Sequence, residues 1–144
     1  AGFSLLPERV AEFEVALQEK AQTLIKEEDL GACLEIDACL STEDLTMDLI
    51  KEIQCLAPYG FGNPDPLFYT KELIPVDFKT VGNGKHLKAT FSDRSRKRYV
   101  DAIGFGLASK IDVLYKESVE LVFQLEVNNW TGMDVLQLNM VDLK

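Results

Sequence analysis

One stretch near the middle of the chain, residues 57–68, limits the folds that are available to it. The stretch reads APYGFGNPDPLF and holds three prolines and two glycines. Pro64 and Pro66 lack a backbone N–H, fix φ, and push the residue before each of them out of the helical region. No helix or central strand can therefore run through this stretch, so it must be a shaped connector between two parts of the chain. Its aromatic residues are expected to anchor it to both parts: Tyr59, Phe61 and Phe68.

The residues after the connector alternate between apolar and polar, which is typical of half-buried strands. The alternation predicts five strands, one ending near Thr80 and the others around residues 87–91, 99–105, 119–127 and 136–140. Gly82-Asn83-Gly84 has the composition of a hairpin turn, and residues 107–115 suit a short helix. Three strands, a short helix and two strands is the element order of an OB-fold, the five-stranded Greek-key barrel. A small open sandwich is the alternative.

The residues before the connector predict a helix, a strand and a second helix. Apolar residues at helical spacing place the first helix at about residues 7–27, with Pro7 as its first residue. Residues 33–40 alternate like a half-buried strand, and Ser41 is the predicted N-cap of the second helix. Because a single strand is not stable alone, this one requires a partner strand from the second half or from chain upstream.

The charge also changes across the connector. Residues 1–70 hold 14 acidic and 4 basic residues, a net charge of −10, whereas residues 71–144 hold 10 and 11, a net charge of +1; together these give the −9 of the chain. No apolar run reaches membrane-spanning length and no secretory signal is visible. Cys33, Cys39 and Cys55 lack metal-type spacing and fit reduced thiols in a cytoplasmic protein. Since the first residue is not Met, we expect a piece of a longer protein.

Three motifs resemble one family. The connector is similar to the P-F-G-x-G-N-P-x-P-x-F signature in the C-terminal region of the RecJ family of single-stranded-DNA-specific exonucleases, within the DHH phosphoesterase superfamily, with Tyr59 where Phe is usual. Residues 1–4, AGFS, resemble the end of the G-G-H-x-x-A-A-G-F motif in that family's DHH-associated domain. Residues 128–132, NNWTG, followed by Gln137-Leu138 and Val141-Asp142, resemble its closing N-x-W-x-G…Q-L…D pattern. The resemblance covers nearly the whole chain.

The resemblance implies an α+β chain that carries the end of one domain and all of another. Residues 1–57 are expected to be the C-terminal remainder of a DHH-associated α/β domain with the order helix, strand, helix. Residues 58–68 are the connector, and residues 69–144 are expected to form a five-stranded OB-fold that binds nucleic acid. The implied parent is a hydrolase, a 5′–3′ single-strand-specific DNA exonuclease that acts in DNA repair and recombination in the cytoplasm.

Catalysis is not expected from the residues of this chain. A DHH-type centre needs several Asp and His ligands for two hydrolytic metal ions, and the chain has neither a D-H-H motif nor more than one histidine, His86. The sequence therefore predicts no catalytic residue, no metal ligand and no cofactor bound here. The resemblance places Mn²⁺ or Mg²⁺ in the catalytic domain of the parent.

A nucleic-acid-binding face is predicted instead. Residues 94–98, RSRKR, put four cations in the loop between the second and third predicted strands, and cations neutralise phosphates. OB-folds bind oligonucleotides on the face of these two strands and on the loops beside it, where aromatic rings stack on bases. The predicted DNA-binding residues are Lys85, His86, Lys88, Arg94, Arg96, Lys97, Arg98, Tyr99, Asn129 and Trp130.

Each of these features also has an ordinary structural interpretation. The basic loop can also be a solvated turn, His86 a residue of a surface strand, and Tyr99 and Trp130 residues of the core. The net charge argues against tight binding of nucleic acid, although most of the excess acid lies outside the predicted barrel. The alternative function is a non-catalytic protein-interaction module whose acidic first half docks a repair or replication partner. The expected partners are thus single-stranded DNA, the upstream catalytic domains of the same chain, and repair or replication proteins.

Overall fold

The computed structural model describes residues 2, 4–26, 30–31, 33–129 and 132–144. The chain divides into two compact units, Ala1–Leu34 and Glu35–Lys144, and the connector lies inside the second. The domain boundaries predicted from the sequence, at residues 57 and 69, stay a prediction. Within the described ranges, no helix is both long enough and apolar enough to span a membrane.

The first unit contains one main helix. A 3₁₀ turn, Pro7–Arg9, leads into helix α1, Val10–Leu24, and Pro7 occupies the first helical position as predicted. The helix ends earlier than the predicted residue 27, because Ile25 has extended backbone angles. None of the residues of α1 is buried. The acidic run at residues 27–29 lies outside the described residues.

The strand predicted at residues 33–40 is much shorter in the structure. Only β1, Ala38–Cys39, pairs with a neighbour, and it runs parallel to the start of the first barrel strand. The partner thus comes from the second half of the chain. The parallel register explains why the ladder does not continue toward residue 33. In that direction the partner positions would be Pro66 and Pro64, which have no N–H to donate.

The second helix, α2, Met47–Gln54, begins five residues later than predicted. Its N-cap is Thr46, whose hydroxyl accepts a hydrogen bond from the backbone N–H of Leu49 at 3.1 Å. Ser41, the predicted cap, forms a separate turn in which its N–H and hydroxyl both donate to Asp44. The prediction of Ser41 as the N-cap of this helix is therefore wrong, because its hydrogen bonds to Asp44 close a separate turn.

The connector is held by its own hydrogen bonds. Gly60 and Asn63 form an antiparallel bridge, and the Asn63 amide donates to the carbonyls of Leu56 at 2.9 Å and Pro58 at 3.0 Å. The bond between Ala57 and Pro58 is cis. Of the three predicted anchors, Tyr59 donates its hydroxyl to the Ile53 carbonyl and Phe68 is buried, but the prediction for Phe61 is wrong because its side chain is fully exposed.

Five strands close into a barrel. They are β2 (Phe68–Val81), β3 (His86–Ser92), β4 (Tyr99–Gly104), β5 (Val119–Asn128) and β6 (Val135–Leu143). Neighbours pair in the order β2–β3–β4–β6–β5, and β5 pairs back to β2, so each of the five has a partner on both sides. The β4–β6 pair is parallel, and the 3₁₀ helix Ala108–Tyr115 lies between β4 and β5 in the chain. The predicted OB-fold and its element order are confirmed.

The first barrel strand starts earlier than the alternation indicates. Strand β2 pairs with β5 through residues 68–73 and with β3 through residues 74–81. A bulge separates Thr70 from Leu73, and Glu72 within it has a left-handed φ of 60°. Because a bulge adds one unpaired residue, the inward-facing positions change phase there, and the apolar pattern before it no longer matches the pattern after it.

The barrel interior is filled by inward-facing apolar side chains from all five strands. Those with no exposed surface are Leu73, Leu87, Phe91, Ala102, Leu121, Phe123 and Leu138. The 3₁₀ helix contributes Leu114, which is 2% exposed, to the same core. Burial of each large side chain stabilises the fold by about 1.5–3 kcal/mol relative to exposure. The outward faces of the strands are therefore available to carry other chemistry.

Candidate nucleic-acid interface

The outer face of strands β3 and β4 carries alternating polar and apolar side chains. Lys88 and Thr90 point outward from β3, because the residues between them fill the barrel. Lys88 pairs in register with Ile103 of β4, and Thr90 pairs with Asp101. Paired residues point to the same face, so these four side chains form a patch on the barrel surface.

A groove with a volume of about 740 Å³ lies on this face. Its polar lining consists of His86, Lys88, Asp101, Glu126, Asn128, Asn129 and Gln137. Three of the predicted DNA-binding residues, His86, Lys88 and Asn129, therefore come together. The acidic and amide residues from β4, β5 and β6 were not predicted, because nothing in the sequence shows which outward positions become neighbours across strands that are distant in the chain.

The His86 side chain lines the groove and is held there by two contacts within the protein. Its Nδ1 accepts a hydrogen bond from the backbone N–H of Gly106 at 3.0 Å, which leaves the proton of the neutral ring on Nε2. Its ring meets the ring of Phe105 edge-on, with centroids 5.2 Å apart and planes at 71°. His86 therefore positions Phe105 and the turn that follows β4.

Phe105 is a candidate site residue that the sequence pattern did not predict. Its side chain is 61% exposed and lines the groove next to Ile103. A large exposed ring in a polar groove is a surface on which a base can stack. The alternation of apolar and polar residues placed Phe105 at the end of the predicted strand 99–105. Its position between Gly104 and Gly106, which exclude a regular strand, is the signal that could have identified it.

Lys85 lies in the turn between β2 and β3 and is exposed. Its N–H donates to the Val81 carbonyl at 3.2 Å, and its own carbonyl accepts from the N–H of Ala108 at 3.4 Å. These bonds tie the turn to the start of the 3₁₀ helix. Since Val81 and His86 both line the groove, Lys85 is fixed beside it.

The basic loop between β3 and β4 is organised by Asp93. The Asp93 carboxylate accepts hydrogen bonds from the hydroxyl of Ser95 at 2.6 Å and from the backbone N–H groups of Lys97 at 2.9 Å and Arg98 at 3.3 Å. The Ser95 bond, followed by the two backbone bonds and the charge of Arg98, holds the pKa of Asp93 below its usual value. Arg96 has a left-handed φ of 53°. The loop is thus a defined turn.

The four cations of this loop do not all face one ligand. Arg94 forms an ion pair with Glu72 at 2.7 Å, and Arg98 donates to the Glu43 carbonyl at 3.4 Å. Within the part of the chain that the structure describes, Arg96 and Lys97 have no ion-pair partner. The loop therefore offers Arg96 and Lys97 most directly to phosphates.

The basic loop and Lys85 lie at opposite ends of β3. The strand has seven residues, so its ends are roughly 20 Å apart at about 3.3 Å per residue. Arg98 and Tyr99 instead line a smaller groove of about 240 Å³, which shares Val135 and Leu136 with the main groove. The two grooves are thus contiguous, and together they connect the two cationic ends of the strand.

Of the two predicted stacking residues, only Tyr99 can be placed. It is 59% exposed at the start of β4, so it is not a core residue. Trp130 lies outside the described residues. The adjacent Asn129 is exposed and lines the main groove, and its backbone carbonyl accepts a hydrogen bond from the N–H of Gly132 at 2.9 Å.

The described residues offer no fit for the Mn²⁺ or Mg²⁺ that the resemblance implies for the parent. Among them there is no group of three or more His, Cys, Asp or Glu side chains placed to hold a metal ion. No step of a metal-dependent reaction is therefore assigned to this chain.

Comparison with known proteins gives consistent results. The family model of the RecJ OB domain matches residues 36–142. The single-stranded-DNA-specific exonuclease RecJ of Bacillus subtilis is 28% identical over 144 residues, and that of Haemophilus influenzae is 27% identical over 141 residues. These matches cover 99% and 96% of this chain but only 18% and 24% of the two relatives.

The solved structures agree on the fold. The crystal structure of RecJ from Thermus thermophilus in complex with Mn²⁺ matches 99% of this chain with a TM-score of 0.74 at 24% identity. The structure of the same protein in complex with Mg²⁺ matches with a TM-score of 0.75. This chain covers 20% and 21% of those two chains.

Proposed function

Because this chain belongs to the RecJ OB domain family, we propose that its main groove binds single-stranded DNA as part of a RecJ-like exonuclease. The observation that carries the proposal is the groove itself. It gathers Lys88, the exposed ring of Phe105 and the amide of Asn129 on the outer face of a five-stranded barrel. This face is where OB-folds bind oligonucleotides.

Each of these groups supplies a different part of the binding. Lys88 and the nearby Lys85 neutralise phosphates and release counterions, which makes the affinity depend on salt. Phe105 stacks on a base, and because His86 holds the ring, little conformational freedom is lost on binding. The smaller groove extends the path past Tyr99 to the cations of the basic loop.

In this role the chain guides the substrate. The curated relatives are named single-stranded-DNA-specific exonucleases, and this chain spans about a fifth of their length. We place 5′–3′ hydrolysis, with Mn²⁺ or Mg²⁺, in parts of the longer protein outside this chain. The groove then delivers the strand to that centre, and its function belongs to DNA repair and recombination in the cytoplasm.

Two substitutions test the groove in the whole chain. Lys88→Ala should weaken binding of a labelled single-stranded oligonucleotide and reduce the slope of log affinity against log salt by roughly 0.7. Phe105→Ala should weaken binding about tenfold with a nearly unchanged slope, because stacking releases few ions. Fluorescence anisotropy over a range of salt concentrations measures both quantities.

The matched controls are Lys116→Ala and Phe61→Ala, an exposed lysine and a fully exposed phenylalanine that do not line either groove. Both controls should bind like the unmodified chain. If Phe61→Ala weakens binding as much as Phe105→Ala does, the groove is not the binding site.

The first unit favours a second candidate function, docking to protein. Helix α1 has no buried residue, and Val10, Leu17 and Leu24 recur on one face with exposed fractions of 52%, 55% and 65%. An exposed apolar stripe of this kind marks an interaction surface. We infer that it docks the upstream domains of the longer protein. Leu17→Gln should then weaken co-elution of this chain with those domains, and unchanged co-elution would contradict the inference.

A further inference from the structure

Three polar side chains lie side by side across three neighbouring strands in the main groove. Asp101 of β4 pairs in register with Gln137 of β6, and Gln137 pairs in turn with Glu126 of β5. All three line the groove. Neighbouring strands lie about 4.8 Å apart, so the three side chains form one row that is short enough to face a single base and its neighbour.

The two carboxylates of this row are held in place by the adjacent sheet residues. The Thr90 hydroxyl donates to Oδ1 of Asp101 at 2.7 Å, and the Asn139 amide donates to Oε1 of Glu126 at 2.7 Å. Across the described residues, the second oxygen of each carboxylate has no hydrogen-bond or ion-pair partner. Each therefore presents one positioned acceptor.

Gln137 presents a donor between them. It is only 9% exposed, and its Oε1 accepts a hydrogen bond from the Asn128 amide at 3.2 Å. The side-chain nitrogen of Gln137 is left without a partner in the described part of the chain. Because this nitrogen reaches the solvent of the groove, it is available to donate to an acceptor on a ligand. Across the groove the row thus reads acceptor, donor, acceptor.

The charges of the row determine which part of a DNA strand can face it. Asp101 and Glu126 repel phosphates, whereas the cations Lys85 and Lys88 lie towards one end of β3. The sugar-phosphate backbone therefore runs at the margin of the groove, and the base edges face the row.

We propose that the row Asp101–Gln137–Glu126 selects bases with an amino group beside a ring nitrogen, namely cytosine and adenine, over thymine. The inference rests on the proposed function. Cytosine and adenine offer an N–H donor to a carboxylate and an adjacent ring-nitrogen acceptor to the Gln137 amide. Thymine presents carbonyl, N–H, carbonyl, which is the same order as the row, so both of its carbonyl oxygens meet carboxylates, whereas cytosine brings one carbonyl oxygen to the row and adenine brings none.

Oligomers of deoxycytidine and deoxyuridine test the proposal in the whole chain, because their bases differ in the amino group and the proton on the adjacent ring nitrogen. With oligomers of about 12 nucleotides, which exceed the span of one OB-fold groove, deoxycytidine should bind about tenfold more tightly. In the double variant Asp101→Asn, Glu126→Gln, the ratio of the affinity for deoxycytidine to the affinity for deoxyuridine should fall to about one. Both new amides keep an oxygen for Thr90 and Asn139, so the barrel should stay folded, and thermal melting checks this.

The matched control is Asp112→Asn, which removes an exposed carboxylate on the 3₁₀ helix outside both grooves. Loss of any negative charge raises affinity for every oligomer, so the control should keep the tenfold ratio. Equal binding of the two oligomers by the unmodified chain would overturn this inference and leave the proposed function standing. Binding of neither oligomer would overturn the proposed function and this inference with it.

Discussion

Three of the predicted DNA-binding side chains, those of His86, Arg94 and Arg98, already have partners inside the protein. His86 accepts from the Gly106 N–H, and Arg94 is paired with Glu72. A cation that is paired with a carboxylate must break that pair before it neutralises a phosphate, so it contributes less to DNA affinity. Residue type alone therefore overstates the cationic contribution of the basic loop.

Because Arg94 is paired with Glu72, we expect substitutions within the basic loop to have unequal effects on DNA binding. The double variant Arg96→Ala, Lys97→Ala should reduce the slope of log affinity against log salt by roughly 1.4, which is about 0.7 for each lost phosphate contact on a single strand. Arg94→Ala should change the slope by less than half of that amount. Salt titrations with a labelled oligonucleotide measure both. Equal slopes for all three proteins would mean that the loop does not contact DNA.

At the scale of elements, the turn between β2 and β3 connects the fold to the site. Gly82 has a left-handed φ of 59°, and a Cβ added there would lie 2.5 Å from Cδ2 of His86. Gly84 also has a left-handed φ, of 75°, but its surroundings are open. Since His86 is held by Gly106 and Phe105, a side chain at Gly82 would disturb the groove as well as the turn.

These two glycines make a matched pair of substitutions. Gly84→Ala should lower stability by roughly 1–2 kcal/mol, the cost of a left-handed backbone with a Cβ. Gly82→Ala should lower it further and also weaken oligonucleotide binding, because the His86 ring must move. Thermal melting and anisotropy test the pair. If Gly84→Ala impairs binding as strongly as Gly82→Ala, the position of the His86 ring does not matter to the site.

Most of the elements could be predicted from the sequence, because the barrel strands are half-buried and alternate over much of their length. The alternation fails at the start of β2, where the bulge at Glu72 shifts the phase of the inward positions. It also fails at β1, where residues 33–40 alternate but Pro64 and Pro66 limit the ladder. In both places the outcome depends on a pairing partner, which a local pattern does not contain.

The candidate site could be predicted only in part, for the same reason. The predicted order of strands correctly brings Lys88 and Asn129 together. It does not reveal that Gln137 pairs with residues of both β4 and β5, which creates the row in the groove. The basic loop was expected to join this face, but it lies at the other end of β3, because a hairpin places its two loops at opposite ends of the shared strand.

At the scale of the whole molecule, the second unit has a core of its own. The RecJ OB domain match, residues 36–142, nearly coincides with that unit, Glu35–Lys144. The main cluster of buried residues comes from the five barrel strands and the 3₁₀ helix, and Leu40, Leu45 and Ile53 pack against it. A unit with a closed barrel and a continuous core is expected to fold independently.

Removal of residues 1–34 tests this independence. The shortened chain should unfold in one cooperative transition and should bind oligonucleotides with the affinity of the whole chain, since both grooves are lined by residues of the second unit. Circular dichroism on heating and anisotropy measure these properties. A shortened chain that melts without cooperativity would contradict an independent second unit and would favour the domain boundary predicted near residue 69.

The location of DNA on the barrel is the central claim, and it is tested most directly by nuclear magnetic resonance. The amide shifts of the nitrogen-15-labelled chain are followed while single-stranded DNA is added. The largest changes should fall in residues 86–90, 101–106, 126–129 and 135–137, which form and border the main groove. Changes confined to α1 or α2, or no changes at DNA concentrations that saturate the anisotropy signal, would contradict the account.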